Sequence, residues 1–222
     1  MPTKVINNGK LIVYDDVLSE EECNWLINII DHSSTFQIKS GGRHVTNCEL
    51  PELSKIMQER CNTWIPPYVY RHSKLKYTSD PHNTDYFYWV SPQVHHKWAL
   101  VKNPAGGSLS MHLDGSTIYS VDNMSFYTVL CYLNDSDGGT LFEYNKKIEA
   151  KRGRVVILDQ RLLHQGEITS GDKYIARSEI LYTRSKPVST STDEIAVNLF
   201  NSGEPDAAMN LSKTLEEMLL EF

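Results

Sequence analysis

The feature that most constrains the fold is a series of short apolar segments between Trp98 and Arg184. Clusters of glycine, asparagine and aspartate interrupt the series, and such clusters are typical of turns between strands. The predicted strands cover residues 98–102, 108–113, 126–133, 140–144, 155–158, 167–169 and 173–182. Many short strands at this spacing predict an antiparallel sandwich or jelly roll.

Two helices are predicted before this region. Ser19 and Glu22 form a capping-box pattern, and apolar residues at helical spacing follow it. A second helix is predicted to begin at Pro51, because proline suits the first turn of a helix. We therefore expect a mainly β domain over residues 1–184, in which helices within residues 1–67 pack on one sheet of a jelly-roll core at 98–184. A polar linker and a C-terminal helix are predicted over residues 185–222.

Residues 68–97 are rich in tyrosine, tryptophan and histidine. One interpretation is a loop region that contacts substrate, since loops on a rigid scaffold often carry binding residues. The other is an edge hairpin with half-buried tyrosines. The sequence leaves both open.

Composition excludes several classes of protein. The net charge of -6 argues against a large non-specific nucleic-acid surface, which needs clustered cations. No segment has the roughly 20 apolar residues of a membrane helix, and the first residues lack a signal-peptide pattern, so we expect a cytoplasmic protein. The four cysteines form no C-x-x-C pair and are expected to be reduced, packed thiols. The oligomeric state is left open.

Three residues suggest a metal site. His112 and Asp114 are two positions apart, so in a strand their side chains project to the same face. His164 follows the apolar run of residues 155–158. Two imidazoles and one carboxylate are typical of the facial set that holds Fe(II) and leaves positions open, whereas structural zinc usually takes a closed tetrahedral set.

Two cations follow at strand spacing. Lys173 and Arg177 are four residues apart and would face the same side of a strand as Ile175. A buried cation needs an anion, and a dicarboxylate that also chelates the metal would provide one. The alternative is that both cations reach the surface and pair with residues such as Glu167 or Glu179.

The order of these motifs resembles the Fe(II)- and 2-oxoglutarate-dependent dioxygenases, in particular their prolyl 4-hydroxylase-like branch. The resemblance touches most of residues 11–184. It is carried by His112-x-Asp114, Thr128-Val-Leu-Cys-Tyr-Leu-Asn134, Gly138-Gly-Thr140, Gly153-Arg154, His164-x-Gly166 and Gly171-x-Lys173-Tyr-x-x-Arg177-x-Glu179-x-x-Tyr182.

The resemblance implies a double-stranded β-helix, which is a jelly roll with helices packed on one sheet. It implies that His112, Asp114 and His164 are the catalytic iron ligands, that Lys173 receives the far carboxylate of 2-oxoglutarate, and that Thr128 supports this carboxylate. The implied reaction uses Fe(II), O₂ and 2-oxoglutarate, with ascorbate as a possible reductant. It would hydroxylate an unactivated C–H and release succinate and CO₂.

Two departures affect the cofactor residues. Asn103 stands where the family commonly has a tyrosine that helps to hold the cosubstrate, and an amide offers a hydrogen bond without the ring. The spacing from His164 to Lys173 is one residue shorter than the family pattern, so Arg177 is a second candidate for the carboxylate partner.

A prolyl residue of a protein or peptide is the expected substrate, by analogy alone. The alternatives are an oxygenase of the same family acting on a small metabolite or nucleobase, an inactive jelly-roll module that binds a peptide or sugar, and a cupin-like protein with another metal. Three further residues are candidates for substrate contact: Arg43, Tyr119 and Arg161.

Overall fold

The computed structural model describes residues 4–6, 9–61, 63, 65–72, 86–120 and 122–185. The chain comprises two compact units. The first contains residues 1–65, 93–115 and 126–180, and the second contains residues 66–92, 116–125 and 181–222. The C-terminal helix and nearly all of the linker predicted over residues 185–222 lie outside the described residues.

The described part of the chain is mostly strand. Its elements are β1 (Lys4–Ile6), β2 (Leu11–Tyr14), α1 (Glu20–Asp31), β3 (Gln37–Lys39), β4 (Arg43–Glu49), α2 (Pro51–Cys61), β5 (Tyr68–His72), β6 (Tyr86–Val94), β7 (Lys97–Asn103), β8 (Leu109–His112), β9 (Ile118–Ser120), β10 (Asn123–Tyr132), β11 (Thr140–Phe142), β12 (Lys146–Ile148), β13 (Val155–Asp159), β14 (His164–Gly166) and β15 (Lys173–Arg184).

The strands of the first unit form two antiparallel sheets. The larger has the order β1-β2-β13-β10-β15-β7-β4-β3, and the smaller has the order β12-β11-β14-β8. Neighbouring strands are antiparallel, as in the β10–β13 and β14–β8 pairs. This architecture confirms the prediction of a mainly β, jelly-roll fold with few helices.

Strand β10 is buried on both faces because its side chains alternate between two layers. On one face, the Sγ atom of Cys131 lies 3.8 Å from the Sδ atom of Met57 in α2. On the other face, Leu130 and Tyr132 join an apolar core that includes Phe142 of the smaller sheet. The helical layer therefore covers the outer face of the larger sheet, and the core lies between the two sheets.

The two helices begin where the sequence predicts. In α1, Oγ of Ser19 accepts a 3.2 Å hydrogen bond from the backbone N–H of Glu22, and the backbone N–H of Ser19 donates a 2.8 Å hydrogen bond to the Glu22 carboxylate. This confirms the capping box. Arg60 of α2 pairs with Glu22 at 2.7 Å and so connects the helices. Of the helices in the described ranges, none is long and apolar enough to cross a bilayer.

Two local predictions are wrong. The strand predicted over 167–169 is irregular, and the strand of this region is β14, which begins at His164. The hydroxyl of Thr169 donates to the carbonyl of Gly171, and Asp137 accepts from the backbone N–H of Ser170, so turn contacts replace a strand ladder here. In addition, strands β3 and β4 occupy part of the predicted helical region.

The second unit contains a hairpin. Strands β5 and β6 pair antiparallel, with Tyr70 opposite Tyr88, so the described ends of the aromatic region have the hairpin form. Tyr88 is exposed, while Trp89 is fully buried. The buried guanidinium of Arg184 lies 5.3 Å from the ring centroid of Trp89, and its Nε atom is 3.3 Å from Asp122. These contacts make Trp89 a packing residue, as cation–π contacts and burial together suggest.

Candidate active site

The three predicted metal ligands lie together in the first unit. His112 is the last residue of β8 and His164 the first of β14, and the two are paired opposite each other in the sheet. Asp114 follows β8 by two residues. The ligand atoms of these three residues all lie within 4.8 Å of one another. The register of β8 on β14 brings the two histidines together, and the segment that follows β8 places Asp114 beside them.

Both imidazole rings are oriented by backbone carbonyls. Nδ1 of His112 lies 2.8 Å from the carbonyl oxygen of Ser110, and Nδ1 of His164 lies 2.8 Å from that of Leu162. Because a carbonyl only accepts, Nδ1 carries the hydrogen in each ring and Nε2 is left with its lone pair. The Nε2 atoms lie 3.6 Å and 3.8 Å from the Asp114 carboxylate.

The Asp114 carboxylate is the centre of a polar network. The hydroxyl of Thr128 donates a 2.6 Å hydrogen bond to Oδ2, and Nη2 of Arg177 lies 3.0 Å from Oδ1. Burial would raise the pKa of Asp114, but His112, the Arg177 charge and the Thr128 hydrogen bond outweigh it and hold the pKa well below its usual range. Asp114 is therefore ionised and ready to bind a cation.

The two histidines have opposite pKa shifts. The contact with Asp114 raises the pKa of His112, while burial lowers the pKa of His164. A metal ligand must be the neutral imidazole, which burial favours at His164. Phe142 contributes to this burial, since its ring centroid lies 5.7 Å from that of His164.

The site opens into a cavity of about 290 Å³ between the two sheets, near the lower end of the range for small-molecule pockets. Its walls combine apolar residues of the larger sheet with polar and charged groups. The charged and polar lining residues are Arg43, Asn103, Ser108, His112, Asp114, Thr128, Tyr132, Thr140, His164, Glu167, Lys173 and Arg177. All seven predicted site residues therefore line one cavity.

Lys173 is a buried cation in this cavity and is only 3% exposed. Its Nζ atom donates to the carbonyl oxygens of Gly139 at 3.3 Å and Glu167 at 3.1 Å. The hydrogen-bond partners of Lys173 in the described part of the chain are therefore neutral carbonyl groups. Burial lowers the pKa of Lys173, and the carboxylate of Glu167 opposes that shift. That carboxylate itself pairs with Lys147 at 2.9 Å.

The remaining candidates divide into two groups. Asn103 lies beside Lys173 in the β7–β15 ladder, is 5% exposed and faces the cavity. Arg43, at the start of β4, also lines the cavity. Arg161 instead pairs with Asp159 at 2.9 Å, and Tyr119 belongs to the second unit.

Sequence reasoning missed the groups that orient the site. They are the Ser110 and Leu162 carbonyls, the Glu167–Lys147 pair, and Thr140, whose hydroxyl lies 2.6 Å from that of Tyr132. Each histidine contacts the carbonyl two positions before it, a spacing that only the backbone conformation reveals. The position of Thr128 on Asp114 was likewise not predicted.

No protein-family model and no curated protein matches this sequence. Solved structures do match. Viral collagen prolyl hydroxylase from Paramecium bursaria Chlorella virus-1, in its 2OG complex, has a TM-score of 0.55 and 20% identity over 80% of this chain and 99% of its own.

Two other structures cover a similar share of the chain. A prolyl hydroxylase from Trichoplax adhaerens, in complex with a hypoxia-inducible factor peptide fragment, has a TM-score of 0.53 and 15% identity over 80% of this chain and 85% of its own. The non-haem α-ketoglutarate-dependent carbocyclase SnoK from nogalamycin biosynthesis has a TM-score of 0.52 and 12% identity over 78% of this chain and 79% of its own. The chain therefore has the double-stranded β-helix fold of the Fe(II)- and 2-oxoglutarate-dependent oxygenases, with prolyl hydroxylases among its structural neighbours.

Proposed function

We propose that this protein is an Fe(II)- and 2-oxoglutarate-dependent dioxygenase that hydroxylates an unactivated C–H. The proposal depends on one juxtaposition. The His112, Asp114 and His164 set lies in the same cavity as Lys173, a buried cation whose described hydrogen-bond partners are neutral carbonyls. A metal-chelating dicarboxylate would satisfy both parts of the cavity.

The residues present fit these groups. Two imidazole nitrogens and an ionised carboxylate suit Fe(II) and leave positions open for further ligands. When bound, the metal supplies the redox chemistry, coupled to conversion of 2-oxoglutarate to succinate and CO₂. Arg177 and Thr128 hold Asp114 in place and keep it ionised, and Lys173 offers an ammonium to the far carboxylate.

Asn103 and Arg177 complete the proposed cofactor residues. Asn103 faces the cavity beside Lys173, where its amide is placed to donate a hydrogen bond to the cosubstrate. Arg177 contacts Asp114, so Lys173 is the better candidate for the far carboxylate because its own partners carry no charge. Thr128 could support that carboxylate only by turning its one hydroxyl hydrogen away from Asp114, and this exchange on cosubstrate binding is part of the same proposal.

A prolyl residue of a peptide is the proposed substrate. Two structural neighbours are prolyl hydroxylases, and one of them was solved with a peptide fragment. The carbocyclase neighbour illustrates that the same fold serves other substrates. A requirement for ascorbate and a cytoplasmic location belong to the same proposal and need separate tests.

The experiment is anaerobic addition of Fe(II) and then 2-oxoglutarate to metal-free protein. We expect a weak visible charge-transfer band that needs both additions and bleaches with O₂. The Lys173→Ala variant should need a far higher concentration of 2-oxoglutarate for the same band, and exposed Lys97→Ala is the matched control.

The other results separate the alternative functions. A folded protein that binds Fe(II) without the band would be a metal protein of another type. A folded protein that binds neither would be a binding module. A band with no hydroxylated proline in a peptide library would keep the dioxygenase and exclude the prolyl substrate.

A further inference from the structure

The candidate cavity contains more positive charge than metal and cosubstrate binding requires. It is lined by the cations Arg43, Lys173 and Arg177 and by the carboxylates of Asp114 and Glu167. Glu167 is already paired with Lys147. A divalent metal and the 2-oxoglutarate dianion would neutralise each other, and Asp114 offsets only one of the three cations. The loaded cavity would therefore remain positive and would favour a further anion.

Arg43 is held so that its terminal amino groups are free to bind. Its Nε atom donates a 3.0 Å hydrogen bond to the carbonyl oxygen of Ser40. In the described part of the chain, no acceptor lies within hydrogen-bond distance of its Nη1 or Nη2 atom. A guanidinium presents these two donors as a planar fork, which matches the two oxygens of a carboxylate.

The backbone before Arg43 is fixed by close packing. Gly41 has a φ of +75°, and a Cβ atom there would overlap the carbonyl oxygen of Ser108. Ser108 lines the same cavity. The turn that leads into β4 is therefore packed directly on the cavity wall, and this packing places Arg43 at the cavity.

Arg177 is the second member of the pair. It contacts Asp114 at 3.0 Å. Burial lowers the pKa of Arg43, and the charge of Arg177 lowers it further. Both residues line the same cavity, and their guanidinium groups repel each other there. An anion bound between the two groups would relieve this repulsion, because arginine forms strong charge-assisted hydrogen bonds with carboxylates.

This second anion is distinct from the cosubstrate's far carboxylate. Lys173 is almost fully buried, whereas Arg43 is partly exposed. We propose that Arg43 and Arg177 bind a carboxylate of the primary substrate, an inference that rests on the proposed dioxygenase function. The carboxylate is either an acidic residue beside the target in a peptide or the free carboxylate of an amino acid.

The test measures dissociation constants for matched probes on full-length protein loaded with Zn(II), which is redox-inert, and 2-oxoglutarate. One pair is L-proline and L-prolinamide. The other is N-acetyl-Gly-Pro-Glu-amide and its Gln counterpart. We expect wild type to bind the carboxylate member of one pair about tenfold more tightly, as for a charge-assisted hydrogen bond. The pair that responds identifies the source of the carboxylate.

Arg43→Gln should remove this preference and leave 2-oxoglutarate affinity unchanged, while Lys97→Gln, which removes an exposed charge from β7, should retain it. If Arg43→Gln does not fold, Arg43→Lys decides, because it keeps the charge and loses the fork, and a severalfold loss of preference is expected. The inference would be overturned if wild type showed no preference for the carboxylate probe. It would also be overturned if the Arg43 variant that folds kept the wild-type preference. Failure of Zn(II)-loaded wild type to bind 2-oxoglutarate would instead contradict the proposed function.

Discussion

Thr128 donates a 2.6 Å hydrogen bond to Oδ2 of Asp114, and this places a buried hydroxyl of β10 directly behind the carboxylate of the candidate metal site. A carboxylate held in this way keeps its orientation when the metal is absent. Because groups behind a metal ligand commonly change affinity by about 10–100-fold, Thr128 is a positioning residue for Asp114.

Thr128→Val should weaken Fe(II) binding about tenfold, since valine has a similar shape but no hydroxyl. Anaerobic titration with Fe(II) measures this affinity. Thr128→Ser keeps the hydroxyl and should bind almost as tightly as wild type. Equal affinity for the valine and serine variants would show that the hydrogen bond does not position Asp114.

His112→Ala should reduce metal affinity by at least about 100-fold, more than the loss of a supporting group does. The matched control is His96→Ala, because His96 is exposed and lies outside the cavity lining. Isothermal titration with Mn(II) gives both affinities without redox chemistry. Wild-type affinity in the His112→Ala variant would contradict the ligand assignment.

Lys173→Met should have opposite effects on stability and on cosubstrate binding. In the unloaded protein it removes a buried cation whose described partners are neutral carbonyls, so the free energy of unfolding should rise by about 1–3 kcal/mol. In the same variant, 2-oxoglutarate should bind at least about 100-fold more weakly, because its carboxylate loses a buried partner. Urea unfolding and 2-oxoglutarate titration measure the two effects.

Arg177→Met is the comparison for Lys173. It leaves Asp114 without its ion pair, so it should destabilise the unloaded protein. A larger loss of 2-oxoglutarate affinity in Arg177→Met than in Lys173→Met would exchange the proposed roles of the two cations.

Gly41→Ala should destabilise the protein by at least about 2 kcal/mol, because the new methyl group would overlap the Ser108 carbonyl in a backbone conformation that favours glycine. Gly106→Ala is a suitable control, since Gly106 has a φ of +79° and open space around its Cβ position. Its cost should be only about 1 kcal/mol. Similar unfolding free energies for the two variants would mean that the Gly41 turn relaxes away from Ser108.

Stability should fall in mild acid through His95. Burial, with the charges of His96 and Lys97, lowers the pKa of His95 to about 4, whereas an unfolded histidine titrates near pH 6.5. The unfolded chain then binds more protons between these values, so stability present above pH 6.5 is lost as the pH falls toward 4.

The expected loss through His95 is about 1–2 kcal/mol between pH 7 and pH 5. His95→Asn retains an acceptor for the backbone N–H of Lys97 and should show a flatter pH profile of unfolding free energy. The exposed His32→Asn variant should keep the wild-type profile. A wild-type slope in His95→Asn would assign the acid sensitivity to other groups.

The parts of the fold with strong local signals were predictable. Capping residues located α1, and the apolar run before His164 located β13. Strands β3 and β4 were missed because their side chains have no clear alternation of buried and exposed positions. The turn after β14 was mistaken for a strand because its side-chain hydrogen bonds depend on Asp137, which is distant in sequence.

In the candidate site too, features with a local sequence signal were predicted and features that depend on distant residues were not. The spacing of His112 and Asp114 predicts a shared face, and the structure brings His164 to it. The pairing of Arg177 with Asp114 and the position of Arg43 depend on which strands are neighbours, and spacing in the sequence does not specify that order. The order of strands that are distant in sequence therefore determines the site contacts that the sequence did not predict.

The alternation along β10 ties the chemistry of this protein to its helical layer. Thr128, Leu130 and Tyr132 line the cavity, and Cys131, between the last two, packs against Met57 of α2. A shift of this strand by one residue would exchange the two sets of side chains. Redesigning the cavity for a new substrate is therefore also a change to the support of α2, and sequence changes on either face of β10 should be selected together.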